Sequence, residues 1–200
     1  MKYVTLATED PVSEAVGRRL IKDYGGELEV IESLGGKGFG YLRSHLPNFR
    51  AIARFRPVLL ITDLDRTRCP PIMLDDWLGP AARQRTLLFR IAVREIESWL
   101  LADRVALAAF LGVAARDIAR TPESLADPKQ SLLRACRRAP RTVRHDMLAH
   151  RGSLASQGIR YNSRLCEFVR ERWSPERAAN SSHSLQRARR RIAELSQQEA

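Results

Sequence analysis

Apolar and polar positions along this chain follow two rhythms. Short apolar runs of strand length recur through the first half: Tyr3–Thr8, Leu28–Ile31, Val58–Thr62 and Thr86–Val93. Their Val, Ile, Leu, Thr, Tyr and Phe content predicts four β-strands. Between them apolar residues return every three or four positions. Val12, Val16, Leu20 and Tyr24, with Ala15 and Ile21, define one helical face. Asp10-Pro11 opens that helix with a cap residue and a proline at the first helical position, and Gly25-Gly26 stops it. Leu42, Leu46, Phe49 and Ile52 define a second helix over Tyr41–Phe55.

The stretch Arg66–Pro80 reads as irregular, because Cys69-Pro70-Pro71 is excluded from a helix interior. A short helix is expected to begin at Asp75-Asp76-Trp77. The fourth strand runs straight into a long helix from Arg94 to about Gly112. Strand–helix–strand–helix–strand–strand–helix is a doubly wound α/β pattern: an open, mostly parallel sheet flanked by helices. Beyond Gly112 the chain reads as helical and strand-free, with helices from Asp127-Pro128-Lys129 through Ala135, over Tyr161–Trp173 and over Ser184–Leu195. The expected organisation is an α/β core over 1–112 and a helical, basic extension over 113–200 packed on it.

Two hundred residues are enough to bury a core without staples. No run of about 20 apolar residues offers a membrane span, and the first residues read as a strand rather than a signal peptide. Cys69, Cys136 and Cys166 are scattered without metal-ligand spacing. They read as reduced thiols of a cytoplasmic chain, which argues against a zinc site.

The formal charge is +11, from 34 basic and 23 acidic residues. It is unevenly placed: Gln130–Ala200 holds 15 Arg and no Lys against six Asp or Glu. Arginine grips phosphates in bidentate fashion. A polyanion such as nucleic acid is the natural partner, with Arg187, Arg189 and Arg190 of the last helix as candidate contacts. A solvated helical surface is the plainer alternative. Few aromatics lie among these arginines, so stacked single-strand recognition is not indicated.

The acidic residues carry the candidate chemistry. Val58–Ile61 reads as a strand buried on both faces, and it ends in Asp63-Leu64-Asp65. Glu9 ends the first strand. Ligands of open α/β sheets collect outside the carboxyl ends of the strands. If strands one and three are neighbours, with strand two outside, Glu9, Asp63 and Asp65 converge on one edge. Clustered carboxylates repel unless a cation or a shared proton joins them, and carboxylate oxygens suit Mg²⁺ or Mn²⁺. Such a trio can position water or substrate for phosphodiester hydrolysis. Glu95 and Glu97 head the next helix about 200° apart around it, so regular helix turns at most one of them to a given site. Gly35-Gly36-Lys37-Gly38-Phe39-Gly40 permits close backbone approach to a ligand, with Lys37 supplying charge, although it is not a Walker loop.

A Glu ending the first strand and Asp-x-Asp ending a later one resemble the Toprim domain of topoisomerases, primases and overcoming-lysogenization-defect-type nucleases. Ala-Thr-Glu-Asp at 7–10, Gly-Phe-Gly-Tyr at 38–41, Thr-Asp-Leu-Asp at 62–65 and Glu-Ile-Glu-Ser-Trp-Leu-Leu-Ala-Asp at 95–103 resemble more closely the DUF4276-type Toprim-like proteins of bacteria, over roughly residues 1–135. The resemblance implies a Mg²⁺-dependent nuclease core. It makes Glu9 the general acid/base carboxylate near the metal, and Asp63 and Asp65 metal ligands. Glu97, or Glu95 in its place, would be the acidic residue for a second metal. Lys129 would contact the scissile phosphate. The resemblance also implies an ATPase partner protein, in phage defence for example. Apart from the resemblance, Lys37 and Arg66 are candidate nucleic-acid contacts with Arg187, Arg189 and Arg190. The glycine that often follows the catalytic Glu in that family is Asp10 here, which offers an extra ligand. Tyr161 is available as a nucleophile, but the chain is too short for a topoisomerase gate. The alternative from another class is a non-catalytic nucleic-acid-binding or regulatory subunit.

Overall fold

The computed structural model describes residues 1–79, 84–150 and 152–197. Four parallel strands, β1 (Lys2–Thr8), β2 (Leu28–Gly35), β3 (Val58–Asp63) and β4 (Leu87–Ala92), form one sheet in the order β2-β1-β3-β4. The fold is therefore α/β with an open, all-parallel sheet flanked by helices. β1 and β3 are neighbours, Thr8 lying opposite Ile61, and β2 lies outside them.

The sheet is buried on both faces because alternate residues of each strand leave in opposite directions. Leu59 and Ile61 of β3 join Val4 and Leu6 of β1 in one apolar cluster, whereas Val58 and Leu60 join Ala7 in another. Helix α1 (Pro11–Lys22) covers the first face through Val12, Val16 and Leu20. It lies so close that a side chain at Gly17 would meet the Leu6 side chain at 2.6 Å. Asp10 caps it as expected, accepting from the Ser13 amide at 2.7 Å.

Helices α2 (Gly38–Ser44), α3 (Leu46–Ile52) and α4 (Pro70–Leu78) cover the second face, packing Leu42, Phe49, Met73 and Trp77 against it. Two expectations are corrected here. The helix over Tyr41–Phe55 breaks at His45, ahead of Pro47. The stretch expected to be irregular is helical from Pro70, because the two prolines occupy the first turn, where no amide partner is required. Pro80 lies outside the described residues.

The long helix expected from Arg94 is two, α5 (Glu97–Ala102) and α6 (Arg104–Leu111), divided at Asp103. Helices α7 (Pro128–Cys136), α8 (Arg141–Met147), α9 (Tyr161–Glu171), α10 (Pro175–Ala179) and α11 (His183–Gln197) follow. These helices do not form a separate core. One apolar cluster runs from Val4, Leu6 and Val16 through Trp99 and Leu133 to Phe168, Trp173 and Leu195.

α11 is seated at its start by a chain of polar contacts. The Trp99 indole donates to the Ser184 hydroxyl at 2.7 Å, and that hydroxyl donates to Glu123 at 2.5 Å. The Ser184 amide reaches Glu123 at 2.9 Å. Midway along it Tyr24 donates to the Arg189 carbonyl at 3.2 Å, and at the other end Lys2 donates to the Leu195 carbonyl at 2.8 Å. α11 thus crosses the sheet from its carboxyl edge towards its amino edge.

Candidate functional site: a carboxylate edge

β1 and β3 deliver Glu9 and Asp63 to the same edge. Glu9 Oε1 accepts from the Thr62 hydroxyl and, at 2.9 Å, from the Asp63 amide. The end of the neighbouring strand therefore fixes the orientation of the Glu9 carboxylate. Burial raises the Glu9 pKa above its ordinary value, and the two hydrogen bonds oppose that rise.

Asp63 stands among the most like charges at this edge. Desolvation raises its pKa well above its ordinary value, and the charges of Glu9, Glu97, Asp10 and Asp65 push the same way. Its Oδ1 is buried and has no hydrogen-bond partner among the described residues. An unpartnered buried carboxylate oxygen is costly, so this atom is a vacant acceptor at the carboxyl end of a central strand.

Asp65 is exposed and sits in the left-handed region at φ 49°. Partial desolvation of its carboxyl raises its pKa, and the Arg66 charge opposes that rise. Its amide donates to the carbonyl of Arg94, itself at φ 63°, and the Arg94 guanidinium donates to the carbonyls of Asp65 and Thr67 at 3.0 and 3.2 Å. Arg94 thus turns the chain from β4 into α5 and holds the Asp65 loop. Sequence reading missed it, since no composition rule marks a non-glycine left-handed residue.

Glu95 and Glu97 are engaged differently. Glu95 Oε2 accepts from the Lys129 amide at 2.9 Å, at the start of α7. Glu97 is 6 % exposed, and its Oε1 accepts from the Tyr161 hydroxyl at 2.9 Å. Desolvation lifts the Glu97 pKa to about 7, against the hydrogen bond from Tyr161. Glu97 is the one of the pair whose charge bears on Asp63. The Lys129 ammonium stands 5.3 Å from the centre of the Tyr161 ring and opposes the rise of both Glu pKa values. Tyr161 therefore serves to orient Glu97, and burial beside that acid raises its own pKa far above the ordinary value.

Asp10 contributes to the field around Asp63, but one of its oxygens is occupied in capping α1. In the glycine-rich loop, the Gly36 amide donates to the Thr8 carbonyl and the Gly38 amide to the Glu9 carbonyl, both at 3.0 Å. Gly35, at φ +143°, has a backbone so close to Thr8 that a Cβ would overlap the Thr8 carbonyl oxygen. The close approach expected of this loop is therefore to β1. It leaves Lys37 exposed, with its ammonium 5.0 Å from the Tyr41 ring centre. Arg66 is exposed next to Asp65.

Arg187, Arg189 and Arg190 are not brought to the carboxylates. They lie along α11, and the Arg189 carbonyl is already at Tyr24, beyond the far end of α1. Arg187 and Arg190 are exposed and Arg189 is half-buried. Among the described residues no three His, Cys, Asp or Glu side chains are gathered closely enough to hold a metal ion as they stand, and no helix is long and apolar enough to cross a membrane.

No protein-family model matches the chain, and no curated protein or solved structure matches it. The class defined here is thus one of architecture: an open, all-parallel four-stranded sheet carrying a carboxylate edge.

Proposed function

We propose that this chain is a metal-dependent nuclease of Toprim type, of the DUF4276-like kind, hydrolysing phosphodiester bonds of DNA or RNA. The observation that carries the reading is the vacant Oδ1 of Asp63, buried without a partner where the charges of four other carboxylates bear on it. That donor set fits Mg²⁺ or Mn²⁺, hard ions that favour carboxylate oxygens. Glu9, Asp63 and Asp65 would hold the first ion, and Glu97, with Glu95 beside it, a second. Such an ion supplies Lewis-acid polarisation of a phosphoryl oxygen and an activated water.

The chain's own residues orient and neutralise. Thr62 and the Asp63 amide aim Glu9 as general acid/base, and Tyr161 aims Glu97. The Lys129 ammonium, beside Glu97 and Glu95, is within their field and available to a phosphate. Lys37 and Arg66 are exposed at the same edge to take backbone phosphates. Arg187, Arg189 and Arg190 extend the basic surface along α11 rather than into this edge. A cytoplasmic setting and an ATPase partner protein belong to this reading through the family resemblance alone.

One observation favours the rival, a non-catalytic nucleic-acid-binding or regulatory subunit: the carboxylates are neighbours but are not closed around a point. The deciding experiment incubates the protein with plasmid, single-stranded DNA and RNA, in Mg²⁺, Mn²⁺ or EDTA, beside Glu9→Ala and Asp63→Asn. Metal-dependent cleavage lost in both variants is the expected result. Salt-sensitive binding without cleavage, unchanged in both variants, would favour the rival.

A further inference from the structure

Arg90 is the one charged residue of β4. β4 is an edge strand, and Arg90 alternates with Phe89 and Ile91, so its side chain leaves on the face of Leu88 and Ala92, towards α11. Its Nε is buried and has no hydrogen-bond partner among the described residues. The charges that bear on it are Arg191, Arg190 and Glu194, all from α11. Glu194 is already committed to Arg191, by a close ion pair, and to Arg190 at 3.8 Å.

A cavity of about 210 Å³ lies at this edge. Among the described residues Arg50, Arg90 and Arg191 line it, from α3, β4 and α11, together with Gln84 and the apolar Leu74, Leu78, Leu87 and Phe89. Arg50 is braced by a 2.6 Å bond to the Leu78 carbonyl, and the Gln84 amide nitrogen donates to the Arg50 carbonyl at 3.3 Å. Three arginines from three separate elements thus border one small space, and the Nε of one of them is buried without a partner among the described residues. Arg90, Arg190 and Arg191 share one carboxylate, Glu194, so positive charge exceeds negative charge around the buried Arg90. Burial, then Arg191 and Arg190, lower the Arg90 pKa to about 10, and Glu194 opposes that fall only in part.

We propose that the cavity bounded by Arg50, Arg90 and Arg191 is a binding site for a phosphate group, separate from the carboxylate edge. A tetrahedral dianion fits the donor set because guanidinium forks take phosphate oxygens in bidentate fashion. The phosphate comes either from a small phosphate ligand or from the phosphodiester backbone of a nucleic acid. The site does not depend on the carboxylate edge being active.

The test is titration calorimetry in EDTA, which leaves the carboxylates without metal. The titrants are inorganic phosphate, a nucleoside monophosphate and a short oligonucleotide. Arg90→Gln and Arg191→Ala are compared with Arg18→Ala, which removes one exposed positive charge from α1. The expected result is binding weakened about tenfold or more in the first two variants and unchanged in the third. Binding of the small ligands would name a small phosphate as the source, and binding of the oligonucleotide alone would name the backbone. No binding of any titrant, or equal weakening in all three variants, would overturn the proposal. Arg191 is partly exposed, so Arg191→Ala carries the test if Arg90→Gln does not fold.

Discussion

The Asp65 amide donates to the Arg94 carbonyl at 2.8 Å, and the Arg94 guanidinium donates back to the Asp65 carbonyl at 3.0 Å. Both residues are left-handed, at φ 49° and 63°. Two strained backbones therefore hold each other at the ends of adjacent strands, and that clasp presents Asp65. Backbone strain of this kind collects at functional sites, where the surroundings over-determine it.

The clasp makes a prediction about strain and side chain separately. Arg94→Ala loses the two side-chain bonds and keeps the unfavourable φ. Arg94→Gly loses the same bonds and relieves the φ. Arg94→Ala is expected to be less stable than Arg94→Gly by about 1 kcal/mol, measured by urea unfolding. Equal stability would show that the left-handed turn is not strained.

Asp63→Asn should stabilise the metal-free protein, by about 1–2 kcal/mol. The amide carries no charge among the other carboxylates, and its nitrogen can donate to them. Thermal melting should also show Mg²⁺ raising the midpoint of the unsubstituted protein and leaving that of Asp63→Asn nearly unmoved. A less stable variant that still responds fully to Mg²⁺ would refute the placement of the ion.

The raised acids fix a direction for pH. Glu97 titrates at about 7 in the folded chain and near 4.5 once unfolded. Between those values the folded state holds a proton that the unfolded state has released, so stability falls as pH rises. The loss through Glu97 is on the order of 3 kcal/mol, complete above about pH 7 and absent below about pH 4.5. Glu9, Asp63, Asp65 and Glu95 are raised as well and add to the same slope. Denaturant midpoints across this range, in EDTA, should show the decline in the unsubstituted protein and a shallower one in Glu97→Gln.

Tyr161→Phe removes the hydroxyl that donates to Glu97. A buried bond to a charged group contributes about 1.5–3 kcal/mol, and that loss should appear in full above about pH 7, where Glu97 is charged. Because this bond opposes the rise of the Glu97 pKa, the titration of Glu97 in the variant should move further up. Carbon-detected NMR of the Glu97 carboxyl reads it directly, and an unmoved titration would mean that the bond is not made in solution.

Gly35→Ala places a methyl group on the Thr8 carbonyl oxygen. The ends of β1 and β2 would have to part, at a cost of about 3 kcal/mol or more, and Glu9 would lose its fixed origin. The expected outcome is a large fall in melting temperature, and a neutral substitution would contradict the register at this end of the sheet.

The sheet and half of its acidic edge were legible in the sequence because strands and their ends are written locally. Val58–Ile61 is apolar without a break and stops at Asp63, and the Thr8–Glu9 boundary is as abrupt. What the sequence hid depends on partners far along the chain. Glu97 is distinguished from Glu95 by Tyr161, 64 positions away, and Glu95 is claimed by the Lys129 amide. Helix α8 carries two buried apolar residues, Val143 and Met147, and α10 is five residues long, so neither offers a periodicity to read. Pro70-Pro71 misled because a rule about helix interiors does not apply to a first turn. The arginines of α11 were read as one basic patch, but Arg191 alone of them lines the cavity with Arg50 and Arg90.

The bond from Lys2 to the Leu195 carbonyl joins positions 193 apart, and it says something about time. Ribosomes add about 5–20 residues per second, so the first strand waits roughly ten to forty seconds for the helix that Lys2 contacts. Throughout that interval the face that ends as the Val4, Leu6 and Leu88 cluster is without its last cover. The nascent chain therefore completes this core only once α11 has been made, and slow codons between the first strand and that helix should aggravate aggregation rather than relieve it.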